Sequence, residues 1–168
     1  MKAQAGAAGQ STVETKVVVR SVDETRDLAA FLARVAQPGD RLALLGPLGA
    51  GKTQFAKGFA VGLGISDVVN SPSFTLMTEY LGRLPLFHQD LYRLSGAEEV
   101  LGGGLVDERQ LDGVTLIEWG ERLPVEIDRD RVVVQIAVGA GDERTITVVS
   151  ADERRRRYVE AASQWGRP

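Results

Sequence analysis

Residues 46–53 read Gly-Pro-Leu-Gly-Ala-Gly-Lys-Thr and match the pattern G-x-x-x-x-G-K-[ST] at every fixed position. Its glycines lack a Cβ, so the backbone can curl and direct successive N–H groups at one point. The positive end of a following helix would add to the attraction for an anion. Lys52 would supply a mobile positive charge, and Thr53 would offer a hydroxyl to Mg²⁺. The stretch therefore predicts a phosphate-binding loop, called the P-loop below.

The residues on either side of the P-loop have the pattern that such a loop requires. Before it, residues 41–45 read Arg-Leu-Ala-Leu-Leu, a short apolar run typical of a buried parallel strand. After it, Phe55, Phe59 and Leu63 recur at helical spacing, and nearby glycines end the run. A strand, a glycine-rich loop and a helix in this order favour phosphate binding over a chance glycine turn.

The rest of the chain mixes predicted strands with predicted helices. Two strand pairs are separated by short turns, which indicates antiparallel hairpins, whereas the P-loop region indicates parallel strands. We therefore predict one α/β domain, P-loop NTPase-like, with a mixed β-sheet flanked by helices. It would span residues 13–168 and follow a disordered tail at 1–12. The predicted strands are 16–20, 41–45, 74–81, 84–91, 114–118, 131–138 and 144–150, and the predicted helices are 23–36, the P-loop helix, 97–101 and 152–164.

Composition excludes several classes of protein. The chain has 168 residues, of which 43% are hydrophobic and 26% are charged, as in soluble globular domains. It has no cysteine, which excludes disulfides, thiolate metal sites and a cysteine nucleophile. No stretch approaches the roughly 20 apolar residues of a membrane span, and the first residues lack a signal peptide's apolar region. We therefore expect a cytoplasmic protein. The net charge of −3 argues against a broad nucleic-acid-binding surface.

Acidic residues at strand ends could complete a nucleotide site. Glu118 follows the apolar run Val-Thr-Leu-Ile, which would deliver its carboxylate to the sheet edge where nucleotides bind. Asp90 also ends an apolar strand and could bind a metal-bound water or orient the attacking water. Both could instead be strand-end acids that face water. His88 is the only histidine, and a lone strand histidine is more often a structural partner than a base.

The segment 71–75 reads Ser-Pro-Ser-Phe-Thr and separates the P-loop helix from the next strand. Segments at this position carry hydroxyls that sense the γ-phosphate in nucleotide switches, although a plain serine–proline turn is the alternative. The chain has no Asn-Lys-x-Asp guanine-reading motif, which favours adenine. Thr25 could contact the base, and helix capping explains it equally well.

Four segments together resemble the TsaE family, small bacterial ATPases needed for threonylcarbamoyladenosine modification of tRNA. The resemblance runs from about residue 25 to residue 121. This chain has Ser73 where the family usually has threonine, so the hydroxyl is kept. The matching segments are the P-loop, Ser-Pro-Ser-Phe-Thr-Leu at 71–76, His-Gln-Asp-Leu-Tyr-Arg-Leu at 88–94 and Ile-Glu-Trp at 117–119.

The resemblance implies roles that the residues alone do not establish. It implies ATP and Mg²⁺ as cofactors, and a TsaD–TsaB complex as the partner whose turnover the ATPase supports. The carbamoyl transfer would belong to TsaD, tRNA would be reached indirectly, and Trp119 would lie beside the metal. The implied catalytic residues are Lys52, Asp90 and Glu118, the metal ligands are Thr53 and Glu118, and the nucleotide contacts are Thr25, Gly49, Ala50, Gly51, Lys52, Thr53 and Ser73.

Other functions stay open at this point. A small-molecule kinase could use the same P-loop, although the chain shows no clear arginine-bearing lid. A binding module could use the nucleotide only for structure. Arg93 and Arg109 are candidate arginine fingers in this chain, and otherwise a partner would supply one. The basic run at 154–157 is predicted to be a solvated helix face, with a contact to partner protein or tRNA phosphates as the alternative.

Overall fold

The computed structural model of the protein describes residues 11–72, 75–94, 99, 105–126 and 128–168. No helix in these ranges is both long enough and apolar enough to cross a membrane. Short 3₁₀ turns lie at Glu108–Asp112, Gly120–Arg122 and Glu153–Arg155. The strands are β1 (Val13–Val19), β2 (Arg41–Leu45), β3 (Met77–Leu81), β4 (Pro85–Asp90), β5 (Val114–Glu118), β6 (Val132–Val138) and β7 (Arg144–Ser150), and the helices are α1 (Val22–Ala33), α2 (Lys52–Gly62) and α3 (Arg156–Gln164).

In the part of the chain that the structure describes, one mixed sheet holds seven strands in the order β1-β7-β6-β2-β5-β4-β3. The neighbours β6, β2, β5 and β4 pair in parallel, and β1, β7 and β3 pair antiparallel at the two sides. The predicted α/β fold with a mixed sheet is therefore confirmed. Because β2, β5 and β4 pair in parallel, the P-loop, Glu118 and Asp90 all lie at the carboxyl ends of these strands.

Helices α1, α2 and α3 lie on one face of the sheet and cover its main hydrophobic core. Alternate residues of β2 and β5 face this core, including the fully buried Leu42 and Leu116. Helix α2 packs closely on α1 at Gly58, where a Cβ would lie 2.2 Å from the carbonyl oxygen of Arg26. The residues of β5 that point the other way, such as Ile117, join a smaller cluster with Leu91, Leu94, Leu105 and Leu123.

Most predicted elements lie where the sequence places them, and the differences have local causes. The strand at 114–118 has the predicted bounds. The strand predicted from residue 74 begins at Met77, because Leu76 has a left-handed φ of 64° that interrupts extended backbone. The helix predicted to residue 36 ends at Ala33, after which the chain turns towards β2. Residues 1–10 of the predicted tail at 1–12, and the predicted helix at 97–101 except for residue 99, lie outside the described residues.

The basic run at 154–157 is not the solvated helix face that we predicted. Arg155 and Arg157 both pair with Asp40, which is only 3% exposed and precedes β2. The hydroxyl of Tyr158 donates to Asp40 Oδ2 at 2.6 Å. The prediction was wrong because a buried carboxylate, far away in the sequence, needs positive partners. These contacts fasten α3 to the turn before β2.

Replacing Asp40 should destabilise the fold strongly. In Asp40→Ala the guanidinium groups of Arg155 and Arg157 lose their carboxylate, so we expect the free energy of unfolding to fall by about 3 kcal/mol. Urea denaturation measures the change. As a control, Glu79→Ala removes one partner of the exposed Arg109 ion pair and should change stability by less than about 1 kcal/mol. Equal losses in the two variants would contradict the structural role of Asp40.

Tyr158 should make the fold sensitive to alkali. Burial raises the pKa of Tyr158 well above its ordinary value, and the neighbouring Asp40 raises it further. The folded state thus holds its proton more tightly than the unfolded chain, where the pKa is about 10. Stability should be complete below pH of about 10 and should fall as the pH rises above it. Urea denaturation at stepped pH should show a steeper fall for the wild type than for Tyr158→Phe, and equal slopes would contradict this.

Candidate active site

A cavity of about 630 Å³ lies where β2, β4 and β5 end. This volume falls within the range of roughly 300–1,000 Å³ that is typical of ligand sites. Of the site residues predicted from the sequence, only Ser73 lies outside the described residues. The structure places all the others in the cavity wall, namely Thr25, residues 49–53, Asp90 and Glu118.

The P-loop joins β2 to α2 and adopts the backbone that its glycines allow. Gly46, Gly49 and Gly51 have φ values of 154°, 78° and 110°, which side-chain-bearing residues rarely adopt. Gly51 is the N-terminal cap of α2 and offers no side chain to the helix, which leaves N–H groups of the first turn for an anion. The loop therefore has the geometry of an anion cradle.

Lys52 is held within the P-loop. Its Nζ donates to the carbonyl oxygens of Gly46 and Pro47, the latter at 3.1 Å, and lies 3.8 Å from the ring centroid of Trp119. Burial lowers the pKa of Lys52, and nearby carboxylates oppose this shift. An incoming phosphate would offer this ammonium a full negative charge in place of neutral oxygens. The carboxylates that oppose the pKa shift belong to Glu121, Glu118 and Asp90.

The carboxylates of Asp90 and Glu118 lie side by side next to the P-loop. Asp90 and Glu118 are register partners on the parallel strands β4 and β5. The Ser71 hydroxyl lies within hydrogen-bonding distance of both, at 3.1 Å from Glu118 Oε2, but its one proton serves only one carboxylate at a time. The Thr53 hydroxyl donates to Glu118 Oε1 at 2.7 Å. These paired negative charges and neutral hydroxyls are oxygen donors of the type that Mg²⁺ prefers, so they fit such a cation.

Polar neighbours outweigh the effect of burial on the pKa of Glu118. Burial raises the pKa of its carboxyl, but His88, Thr53 and Ser71 together oppose burial more strongly, and the pKa lies below its ordinary value. His88 is fully buried, and its Nε2 lies 3.6 Å from Glu118 Oε1, beyond hydrogen-bonding distance. His88 is also not part of the cavity wall. This placement favours a structural partner of Glu118 over a base that contacts substrate.

Thr25 does not cap α1, which was one of its two interpretations from the sequence. The N-terminal cap of α1 is Ser21, whose side chain accepts from the Glu24 N–H, and the Thr25 hydroxyl lies 3.4 Å from the Ser21 carbonyl oxygen. Thr25 therefore belongs to the first turn of the helix rather than to its cap. Its buried side chain also lines the cavity, so a nucleotide contact stays a prediction.

Sequence reasoning missed several residues of the cavity wall. Arg144 and Asp142 come from the β6–β7 hairpin, and no motif in the sequence marks them. Ser71 belongs to the segment 71–75, but the sequence of this segment does not indicate which of its hydroxyls reaches the carboxylates. Of the two candidate arginine fingers, Arg93 lines the cavity, whereas Arg109 does not and pairs with acidic residues elsewhere.

Comparisons with known proteins find relatives that match most of the chain. The family model "Threonylcarbamoyl adenosine biosynthesis protein TsaE" matches residues 19–146. A Bacillus subtilis protein named tRNA threonylcarbamoyladenosine biosynthesis protein TsaE is 43% identical over 143 residues, which are 84% of this chain and 89% of that protein. Its namesake in Treponema pallidum is 41% identical over 133 residues, 79% of this chain and 98% of that protein. A crystal structure of Bacillus subtilis YdiB is 38% identical, with a TM-score of 0.73 over 92% of this chain and 97% of that chain.

Removing the charge of Glu118 should weaken divalent-cation binding. In Glu118→Gln one of the two adjacent carboxylates becomes neutral, so we expect Mn²⁺ affinity, measured by electron paramagnetic resonance with a non-hydrolysable ATP analogue, to fall at least about tenfold. Glu160→Gln is the matched control, because it removes the same charge from an exposed position on α3 outside the cavity wall. Unchanged Mn²⁺ affinity in folded Glu118→Gln would rule out this metal ligand.

Proposed function

Because the chain belongs to the TsaE family, whose members are named for tRNA threonylcarbamoyladenosine biosynthesis, we propose that it is a Mg²⁺-dependent ATPase that assists a TsaD–TsaB complex in this modification. The observation that supports the proposal best is the cluster of Thr53, Asp90 and Glu118 around Ser71. It lies beside a P-loop in a cavity large enough for a nucleotide. This is the set of parts that phosphoryl transfer requires.

In the proposed complex the P-loop binds the phosphates and Lys52 moves from its carbonyl partners to the β- and γ-phosphate oxygens. Thr53 and Glu118 would hold Mg²⁺, which would supply positive charge to the phosphates. The base occupies the part of the cavity near Thr25, and the absence of a guanine-reading motif favours adenine. A hydroxyl of the loop at 71–75, with Ser73 as the candidate from the sequence, responds to the γ-phosphate.

Asp90 is the proposed residue that orients the attacking water. Its Oδ1 accepts the Tyr92 N–H at 2.9 Å, and its Oδ2 accepts the Ser71 hydroxyl, so its carboxylate is fixed at the cavity wall. A fixed carboxylate can hold one proton of a water and so direct the oxygen lone pair at the γ-phosphorus. Asp90 thereby positions the nucleophile, while Lys52 stabilises the charge of the phosphoryl group.

The proposal includes stimulation by the partner. Of the two candidate fingers in the chain, Arg109 pairs with Glu79 and Asp107 outside the cavity, whereas Arg93 lines the cavity and stays a candidate. An arginine supplied in trans accelerates related reactions by roughly 10³–10⁵-fold, so an ATPase of this kind is slow alone. The carbamoyl transfer then belongs to TsaD, tRNA is contacted through the complex, and the protein acts in the cytoplasm.

The test is ATP turnover, measured as phosphate release with and without purified TsaD–TsaB and with no acceptor added. We expect slow, Mg²⁺-dependent release that rises at least about tenfold with the partner pair. Lys52→Ala should lose this activity, because the loop then lacks its mobile charge. A folded protein that binds ATP but releases phosphate only with a hydroxyl acceptor would instead be a kinase. Equal turnover with and without the pair would contradict the assisting role.

A further inference from the structure

One guanidinium group joins the P-loop to the β6–β7 hairpin. Arg144 begins β7, and its Nε donates to the Ala50 carbonyl oxygen at 3.1 Å, with Nη2 at 3.4 Å from the Gly49 carbonyl oxygen. Its Nη1 donates to the carbonyl oxygens of Gly141 and Glu143 in the hairpin turn, both at 2.8 Å. We propose that Arg144 is a positioning residue that sets the orientation of the P-loop peptides for phosphate binding.

The planarity of the peptide bond makes this possible. In a trans peptide the C=O and the following N–H point in opposite directions, and the described residues contain no cis peptide. A hydrogen bond from Arg144 to the Ala50 carbonyl therefore also fixes where the Gly51 N–H points. That N–H has no acceptor among the residues that the structure describes, so it is open to a phosphate oxygen. The bond to the Gly49 carbonyl fixes the Ala50 N–H, which donates to the Pro47 carbonyl at 3.0 Å.

The glycines make such a tether necessary. Ala50 is buried in the main core, but Gly49 and Gly51 on either side of it have no atom within 4 Å of where a Cβ would lie, so packing at these positions does not hold the two glycines. Glycine also has the largest backbone freedom of any residue, which an unbound loop would keep. The guanidinium donates two bonds to the P-loop and two to the hairpin turn, so it ties the loop to a strand end and reduces this freedom before the nucleotide arrives. Pre-organisation of this kind raises affinity by reducing the ordering that binding requires.

The tether differs from the contacts of Lys52. Lys52 bonds to the carbonyls of Gly46 and Pro47, and under the proposed function it leaves them for the phosphates. Arg144 bonds to other carbonyls, so its contacts can persist when the nucleotide is bound. A lysine at position 144 would keep the positive charge but could not reach both loops, because a single ammonium lacks the planar fork of donors. The geometry therefore requires arginine and not merely a cation.

The experiment compares Arg144→Lys with the wild type and with Arg129→Lys, a matched change at an exposed arginine. Hydrogen–deuterium exchange without nucleotide reports the Ala50 amide, and fluorescence titration with a labelled non-hydrolysable ATP analogue gives Kd. We expect Arg144→Lys to exchange the Ala50 amide about tenfold faster and to bind the analogue about tenfold more weakly. Its thermal midpoint should stay close to that of the wild type, and Arg129→Lys should change neither quantity.

The affinity measurement rests on the proposed function, whereas the exchange measurement does not. The two can therefore fail separately. Unchanged Ala50 exchange in Arg144→Lys overturns the tether. Weaker binding with unchanged exchange also overturns it, because Arg144 would then contact the nucleotide directly. If the wild type does not bind the analogue, the proposed ATPase function fails, and the exchange comparison still decides whether Arg144 orders the P-loop.

Discussion

The parallel register of β2, β5 and β4 is the constraint on which the site depends. Leu44 lies opposite Glu118, and Glu118 lies opposite Asp90, so both carboxylates end their strands beside the start of the P-loop. Backbone hydrogen bonds of the sheet thus hold two like charges together at a largely buried position. Adjacent carboxylates repel, and burial increases the repulsion because water no longer screens it. The fold tolerates this arrangement at the carboxyl ends of the parallel strands, where the cavity leaves room for a positive ion.

A second buried carboxylate shows the contrast between a structural charge and a functional one. Asp40 receives two guanidinium groups and the Tyr158 hydroxyl, so its charge is balanced within the chain. Among the described residues, the hydrogen-bond donors of Asp90 and Glu118 are the hydroxyls of Ser71 and Thr53 and one backbone N–H. Neutral donors thus orient Asp90 and Glu118, whereas Asp40 is bonded directly to guanidinium groups. Lys52 and His88 act on the two carboxylates through charge, without a hydrogen bond to either. The direct ion pairs let Asp40 hold α3, and the adjacent carboxylates favour a divalent cation.

The sequence predicted those features that depend on local pattern. The P-loop and the strand β5 can be predicted because their patterns consist of residues that are neighbours in the chain. The expected positions of Lys52, Thr53 and Glu118 then come from the known geometry of such loops. Contacts across long sequence separations were not predictable in this way. Arg144 and Ala50 are 94 residues apart, and Arg157 and Asp40 are 117 residues apart. The residues next to each arginine do not indicate its distant partner. The sequence therefore predicted an exposed helix face for the arginine run and gave no role to Arg144.

Trp119 carries backbone strain at the point where β5 gives way to the cavity. Its φ of 57° is left-handed, which is unusual for a bulky residue and costs about 1–3 kcal/mol. The sharp turn directly after Glu118 brings the indole ring over Lys52 Nζ and against the ring of Tyr92, with centroids 4.9 Å apart. An extended residue here would continue the strand and carry the ring away from the lysine. Glu118 and Trp119 are consecutive in the sequence, and both side chains lie near the P-loop lysine. The left-handed backbone of Trp119 is what allows this, so its strain is a consequence of the site.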